Sequence, residues 1–238
     1  MWPENTMLAF GRGLEAGADH LETDLHRTAD DHLVCFHDES VDRTTDGAGS
    51  VGSYTLAELR RLDAGYNHRV DGAFPFRGRG LRVPTLGEVL ATFSSVGVVV
   101  DIKVDGLEDP LTDILEKMNA WERVIVGSFS DVRLLRMRHR SADQALVSAG
   151  PLTARAWWLA SRLRRSGPLE FPVLQLPMSV NGVRLIDRRL VETAHANGTA
   201  VHVWTVNQPA EIDRMWALGV DAIITDRADV APRGGEAA

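Results

Sequence analysis

Short runs rich in Val, Ile and Leu alternate along this chain with longer stretches whose apolar residues recur every three or four positions. The short runs fall at 19–26, 32–38, 96–103, 123–130, 144–149, 172–178, 200–207 and 221–226; β-branched and apolar runs of that length predict strands. Helical periodicity occupies 5–16, 55–62, 85–93, 110–120, 131–138, 155–165, 187–197 and 209–218. Several strand runs are almost continuous in large aliphatic residues, as expected when a parallel sheet is covered on both faces. Asn197-Gly198 and Leu218-Gly219 close two helices just before strands. Repeated strand–helix alternation predicts βα units, and their number favours a closed TIM-type (β/α)8 barrel over an open doubly wound sheet. No Gly-x-Gly-x-x-Gly follows the first strand, which lowers the dinucleotide-binding reading further. The chain is expected to form a single α/β domain over 1–230, followed by a short disordered tail, "APRGGEAA", at 231–238.

The segment 38–84 breaks the alternation. It holds "DESVDRTTDGAGSVGSYT", a short helix, and the Gly- and Arg-rich "YNHRVDGAFPFRGRG". That is longer than an ordinary barrel loop, and long βα loops gather at the face of such barrels where active sites are built. A low-complexity linker is the alternative, and the aromatic residues argue against it.

Composition narrows the function classes. A net charge of −7 leaves no basic footprint for nucleic acid. The basic cluster "SRLRRSG" at 161–167 reads as a solvated helix face. A single cysteine, Cys35, excludes a disulfide framework and a Cys-rich zinc site; inside "LVCFH" it reads as a small core residue. No run approaches the roughly 18 apolar residues of a membrane span, so stable membrane insertion is not expected.

Four pieces of sequence carry candidate chemistry. In the first strand Glu22, Asp24 and His26 alternate with Leu21, Thr23 and Leu25, so both carboxylates and the histidine share a face. Two carboxylates side by side require a positive partner, either a hard divalent cation or a Lys or Arg. The second strand ends in His37-Asp38. In "VVVDIKVD", Asp101 and Lys103 share a face at a strand's end, where they can pair with each other or serve a ligand. Trp204 lies near the end of a late strand.

Taken together these stretches resemble the glycerophosphodiester phosphodiesterase family in its bacterial form. The likeness rests on "PENT" (3–6), "GADHLETDLHRTADDHLVCFHDESVDRTTDGAG" (17–49), "LAELRRLDAG" (56–65), "VPTLGEVL" (83–90), "VDIKVD" (100–105), "SFS" (128–130) and "VWTVN" (203–207), which run in family order along nearly the whole chain. The related sphingomyelinase D-like phospholipases share the barrel and the Glu-x-Asp element, but the 38–84 loop is of the phosphodiesterase type. The resemblance implies one divalent cation, Ca2+ or Mg2+, held by Glu22, Asp24 and Asp101, the last standing where the family generally has glutamate. It implies that Lys103 contacts the phosphate, that His37 is one of two catalytic histidines, and that Trp204 lines the substrate site. The expected reaction is metal-dependent hydrolysis of a glycerophosphodiester, a small-molecule substrate, to glycerol 3-phosphate and an alcohol. Lys103 and a cation would draw charge from the phosphate oxygens, and a histidine would move the proton.

The family also begins with a strand ending in His-Arg-Gly, ahead of the Pro-Glu-Asn-Thr, and no His-Arg-Gly occurs in this sequence. The expectation is therefore a chain truncated relative to the family, lacking its first strand. If Met1 is the native start, activity is compromised and two other readings gain. One is an impaired barrel acting as a metal- and phosphate-binding module. The other is a phospholipase D-like enzyme on lysolipids, with Phe74, Phe76 and Trp204 as an apolar face. The family has cytoplasmic and secreted members; the sequence as it stands reads as cytoplasmic, with a secreted form left open.

Overall fold

The structure, a computed structural model, describes residues 1–163, 167 and 171–231. It divides into two compact units, Met1–Val124 and Ile125–Ala238.

In the first unit, helix α1 (Met7–Glu15) starts where Thr6, in an extended conformation, accepts a hydrogen bond from the amide of Ala9, satisfying an amide that the first turn leaves without a partner. It leads into strand β1 (His20–Arg27), which pairs in parallel with β3 (Gly97–Ile102). Their register sets Asp24 directly opposite Asp101. On its other side β1 pairs with β2 (Leu33–Cys35) in the antiparallel sense. This departs from the all-parallel expectation for 32–38. Only a tight turn separates β1 from β2, with the amide of Thr28 donating to the carbonyl of His32 at 3.0 Å, and a connection that short can only reverse the chain. The strand also stops at Cys35, so His37 and Asp38 lie in the loop beyond it and not on the strand itself. Helices α2 (Leu56–Leu59), α3 (Leu86–Thr92) and α4 (Glu108–Lys117) complete the unit. Thr55 with Glu58, and Thr85 with Glu88, form capping boxes that start α2 and α3.

The 38–84 insertion is not a linker. Val41, Val51, Leu59, Ala64 and Val83 bury themselves with Val34 and Phe36 in a cluster flanked by Tyr54, Leu56, Leu62 and Leu81. Backbone groups that a loop would leave unpaired are met by side chains. The two carboxylate oxygens of Asp63 accept from the amides of Gly65 and Gly78, and Asn67 donates to the carbonyls of Asp42 and Thr45. A Cβ at Gly65 would stand 2.9 Å from the Cβ and the carbonyl oxygen of Phe76, so only glycine allows the two segments to approach. Phe74 and Phe76 are engaged locally: Arg77 lies over the rings of Phe74 and Tyr66, and Phe76 meets His68 edge to face.

The second unit contains β4 (Val124–Gly127, whose first residue closes the first unit), β5 (Leu146–Val147), β6 (Val173–Pro177), β9 (Ala200–Trp204) and β10 (Ala222–Ile223). Parallel pairing joins β4 to β5, β6 to β9 and β9 to β10, and a parallel bridge between Ser148 and Val173 continues the order from β5 to β6. Helices α5 (Asp131–Arg140), α6 (Pro151–Leu163), α7 (Arg188–His195) and α8 (Pro209–Leu218) alternate with them. Gly219 ends α8 in the left-handed region at φ 85°, a conformation that costs glycine nothing. A small hairpin, β7 (Ser179–Val180) with β8 (Val183–Arg184), turns at Asn181-Gly182; the pattern analysis passed over it although Asn-Gly is a strong hairpin signal. Part of the basic cluster at 161–167, and the tail expected at 231–238 except for its first residue, lie outside the described residues, whereas Arg162 pairs with Asp187 at 2.5 Å. Among the described residues no helix is long and apolar enough to cross a membrane.

If the insertion is held by its own core, Leu59→Ala should lower stability by about 2–5 kcal/mol, the usual cost of emptying a fully buried leucine site. Calorimetric unfolding measures this; a change no larger than that of a surface substitution would mean the segment is only a tether.

Candidate active site

The register between β1 and β3 builds the centre of the site. Side chains at Asp24 and Asp101 emerge from opposed positions on adjacent strands, and Lys103 follows Asp101 on the same face. Its ammonium donates to Asp101 Oδ2 and pairs with Asp24 Oδ1, both at 2.7 Å. Burial alone would pull the pKa of this lysine down. The hydrogen bonds and charges of Asp101 and Asp24 outweigh that, and it is raised above the ordinary value, so Lys103 stays charged. Of the two readings of Asp101 and Lys103, the structure shows the pairing, and it extends to Asp24: the lysine bridges two carboxylates that would otherwise repel.

Asp24 is held from a second direction. Asn5 donates to Asp24 Oδ2 at 3.2 Å and accepts from the hydroxyl of Thr23 at 2.6 Å. Asp101 Oδ1, by contrast, is buried without a hydrogen-bond partner, an arrangement that is costly unless something completes it. Glu22 shares the strand face of Asp24 but is exposed, where Asp24 is buried. Among the described residues, no three acidic, histidine or cysteine side chains converge into a ready cation cage. The donor chemistry nonetheless suits a hard cation of the magnesium kind, which takes one or two carboxylates and completes its shell with water and phosphate oxygens.

His37 lies beyond the end of β2. Its Nδ1 meets Asp38 Oδ1 at 2.7 Å. Asp38 is gripped in turn by Arg43, whose Nε reaches Oδ2 at 2.6 Å and whose Nη2 reaches Oδ1 at 3.0 Å. The same guanidinium reaches both carboxylate oxygens of Glu4, at 2.8 and 2.5 Å. The Arg43 hydrogen bonds, opposed by burial and aided by His37, hold the Asp38 carboxyl down at about 2. An ionised carboxylate can only accept, so Nδ1 of His37 carries the proton and, in the neutral imidazole, Nε2 offers the lone pair. His26 is buried; desolvation lowers its pKa despite the hydrogen bond to the His37 carbonyl and the charge of Asp24. It is a neutral support for the His37 backbone, at 3.3 Å, and not a second charged group. Glu4, Asn5, Phe36, His37, Thr44, Ala64 and Val83 line a small pocket.

Of the residues singled out from the sequence, Asp24, Asp101 and Lys103 are in direct contact, and Asn5 ties Asp24 to the pocket on which His37 opens. Trp204 belongs to the second unit, where it is half-buried and meets Phe129 edge to face at 5.5 Å. Cys35 is fully buried and its thiol is pushed up to about 12 by desolvation, which removes it as a nucleophile. The sequence reading placed Asp38 beside His37 without giving it a role, and assigned none to Glu4, Asn5 or Arg43. Asp38 and Arg43 stand close in the chain to the groups they hold, whereas Glu4 meets Arg43 across 39 positions and Asn5 meets Asp24 across 19, contacts that no local spacing signals.

Parallel strands alternating with helices make this an α/β protein that carries a partly buried Asp–Lys–Asp cluster on two adjacent strands. Comparison with known proteins gives the family. Residues 1–230 match the glycerophosphoryl diester phosphodiesterase family. A glycerophosphodiester phosphodiesterase of Caldanaerobacter subterraneus subsp. tengcongensis is 35% identical over 234 residues, covering 94% of this chain and 88% of its own. Among solved structures, the glycerophosphoryl diester phosphodiesterase domain of a Mycobacterium tuberculosis protein superposes with a TM-score of 0.85 at 21% identity, covering 96% of this chain and 92% of its own. An Oleispira antarctica phosphodiesterase, solved in complex with the product sn-glycerol-3-phosphate, gives a TM-score of 0.72 at 23% identity, covering 96% and 89%. The chain belongs to the glycerophosphoryl diester phosphodiesterase family, and its fold is the TIM-type α/β barrel of these structures.

The Asp38 carboxyl titrates lower in the folded chain than its ordinary value of 3.8. Its contribution to stability is therefore present above about pH 4 and is lost as the pH falls toward 2. The stability difference between the native chain and Asp38→Asn should be full at neutral pH and shrink through that window. Acid unfolding followed by circular dichroism reads it, and a difference independent of pH would refute the pairing.

Proposed function

We propose that this chain hydrolyses glycerophosphodiesters to glycerol 3-phosphate and an alcohol in a reaction that depends on one divalent cation. Family membership makes it a phosphoric diester hydrolase. The observation that carries the finer reading is the cluster on β1 and β3, where a charged lysine spans Asp24 and Asp101 while an oxygen of Asp101 is left without a partner. Glu22, Asp24 and Asp101 are the residues that would hold Ca2+ or Mg2+. Such a cation, when bound, withdraws charge from the non-bridging oxygens of the phosphate.

The chain's own groups account for the rest. Lys103 offers a fixed ammonium to the phosphate anion, and because its counter-charges are already in place it need not be reorganised as charge develops. His37, with Nδ1–H held by Asp38, presents Nε2 for proton transfer. In hydrolysis the oxygen of water forms a bond to phosphorus while the bond from phosphorus to the head-group oxygen breaks. One proton leaves the water and one reaches the departing alkoxide, and an imidazole at Nε2 can take the first or supply the second.

Glycerophosphocholine is the substrate for the test, with release of glycerol 3-phosphate as the readout. His37→Ala should slow turnover by about 10²–10⁴-fold, the usual share of a general acid or base. Glu22→Ala combined with Asp24→Ala should abolish the part of the rate that chelation with EDTA removes and that Ca2+ or Mg2+ restores. Turnover that survives chelation undiminished would overturn the metal reading. Binding of glycerol 3-phosphate without any turnover would leave a binding module in place of the enzyme.

A further inference from the structure

Resting on the acid/base role of His37, we propose that Arg43 is a positioning residue: its guanidinium, clamped between Glu4 and Asp38, holds the Asp38 carboxylate in the orientation that fixes the His37 ring. Asp38 is the immediate neighbour of His37 in the chain, on a loop where no regular ladder directs either side chain. Left alone, an aspartate there has freedom to turn toward solvent. Arg43 removes that freedom with two bonds, from Nε and Nη2, to the two oxygens of Asp38. A planar fork meeting a carboxylate in this way sets its orientation as well as its distance.

The other side of the fork reaches Glu4, with Nη1 and Nη2 on the two oxygens. Glu4 precedes Asn5, which grips Asp24 and Thr23 on β1. Arg43 therefore joins the loop that carries the imidazole to the segment that braces the carboxylate of the phosphate cluster. Its donors are committed to these two carboxylates, Nε and Nη2 to Asp38 and Nη1 and Nη2 to Glu4. Stability is not the main gain, since partly exposed ion pairs contribute little to it. What the clamp supplies is geometry, and small misplacement of a reacting group can cost about 10²-fold in rate.

The test is a double-mutant cycle on glycerophosphocholine hydrolysis with Arg43→Gln, Arg43→Lys, His37→Ala and the combined His37→Ala/Arg43→Gln chain. Arg43→Gln should lower kcat by about 10²-fold with KM nearly unchanged and the thermal midpoint close to native. Arg43→Lys should recover little, because an ammonium keeps the charge but not the fork. Once His37 is absent, Arg43→Gln should add no further loss, which a role independent of the ring would not produce. Should the Arg43 variants fail to fold, Glu4→Gln loosens one side of the clamp alone and should still reduce kcat without raising KM. Full activity in Arg43→Gln, multiplying losses in the double variant, or a rise in KM alone would overturn the positioning role. Full activity in His37→Ala would instead sink the acid/base reading itself, and a dead His37→Ala beside a fully active Arg43→Gln would sink only the positioning role.

Discussion

The bridge of Lys103 between Asp24 and Asp101 is the interaction on which the rest of the site depends. Two carboxylates opposed across a parallel ladder repel each other, and a positive charge between them relieves that repulsion. The lysine supplies that charge and is kept protonated by the same pair. The requirement runs back into the fold. A shift of the β1–β3 register by one residue would turn Asp24 to the opposite face and leave Lys103 with a single partner, so the packing of these strands and the chemistry of the site select the same alignment.

Around this bridge the chain spends its loops and segment ends on orientation. Thr6 caps α1 and donates to the carbonyl of Pro3, and this places Asn5 against β1. The insertion after β2 packs its own apolar cluster, giving the His37–Asp38–Arg43 chain a firm support. Histidine, aspartate and arginine on an unsupported loop would each have several rotamers to lose on pairing. Here the ordering is carried mostly by the apolar cluster, and the polar groups inherit it.

Much of the architecture was legible in the sequence because helices and strands differ in hydrophobic period. The runs at 96–103 and 172–178 became β3 and β6 with their ends trimmed, that at 19–26 became β1 shifted by one residue, and 209–218 coincides with α8. The exceptions have local causes. Strand β2 is antiparallel because its connection to β1 is too short for a crossover. The runs at 144–149 and 221–226 pair over only two residues each, since hydrophobicity marks burial and not the length of a ladder. The hairpin at 179–184 is exposed and carries no buried pattern to betray it.

The sequence by itself determined which residues share a strand face, and so that Asp101 and Lys103 lie side by side, because an extended chain repeats every two residues. It also determined the family, through motifs kept in order along the chain. Only the tertiary structure decided that Lys103 also binds Asp24, that Asp24 is buried while Glu22 is exposed, and that Arg43 reaches Glu4 across 39 positions. Those facts depend on strand register and on how a loop folds back over its neighbours. Both are set by long-range packing, which no local period in a sequence records.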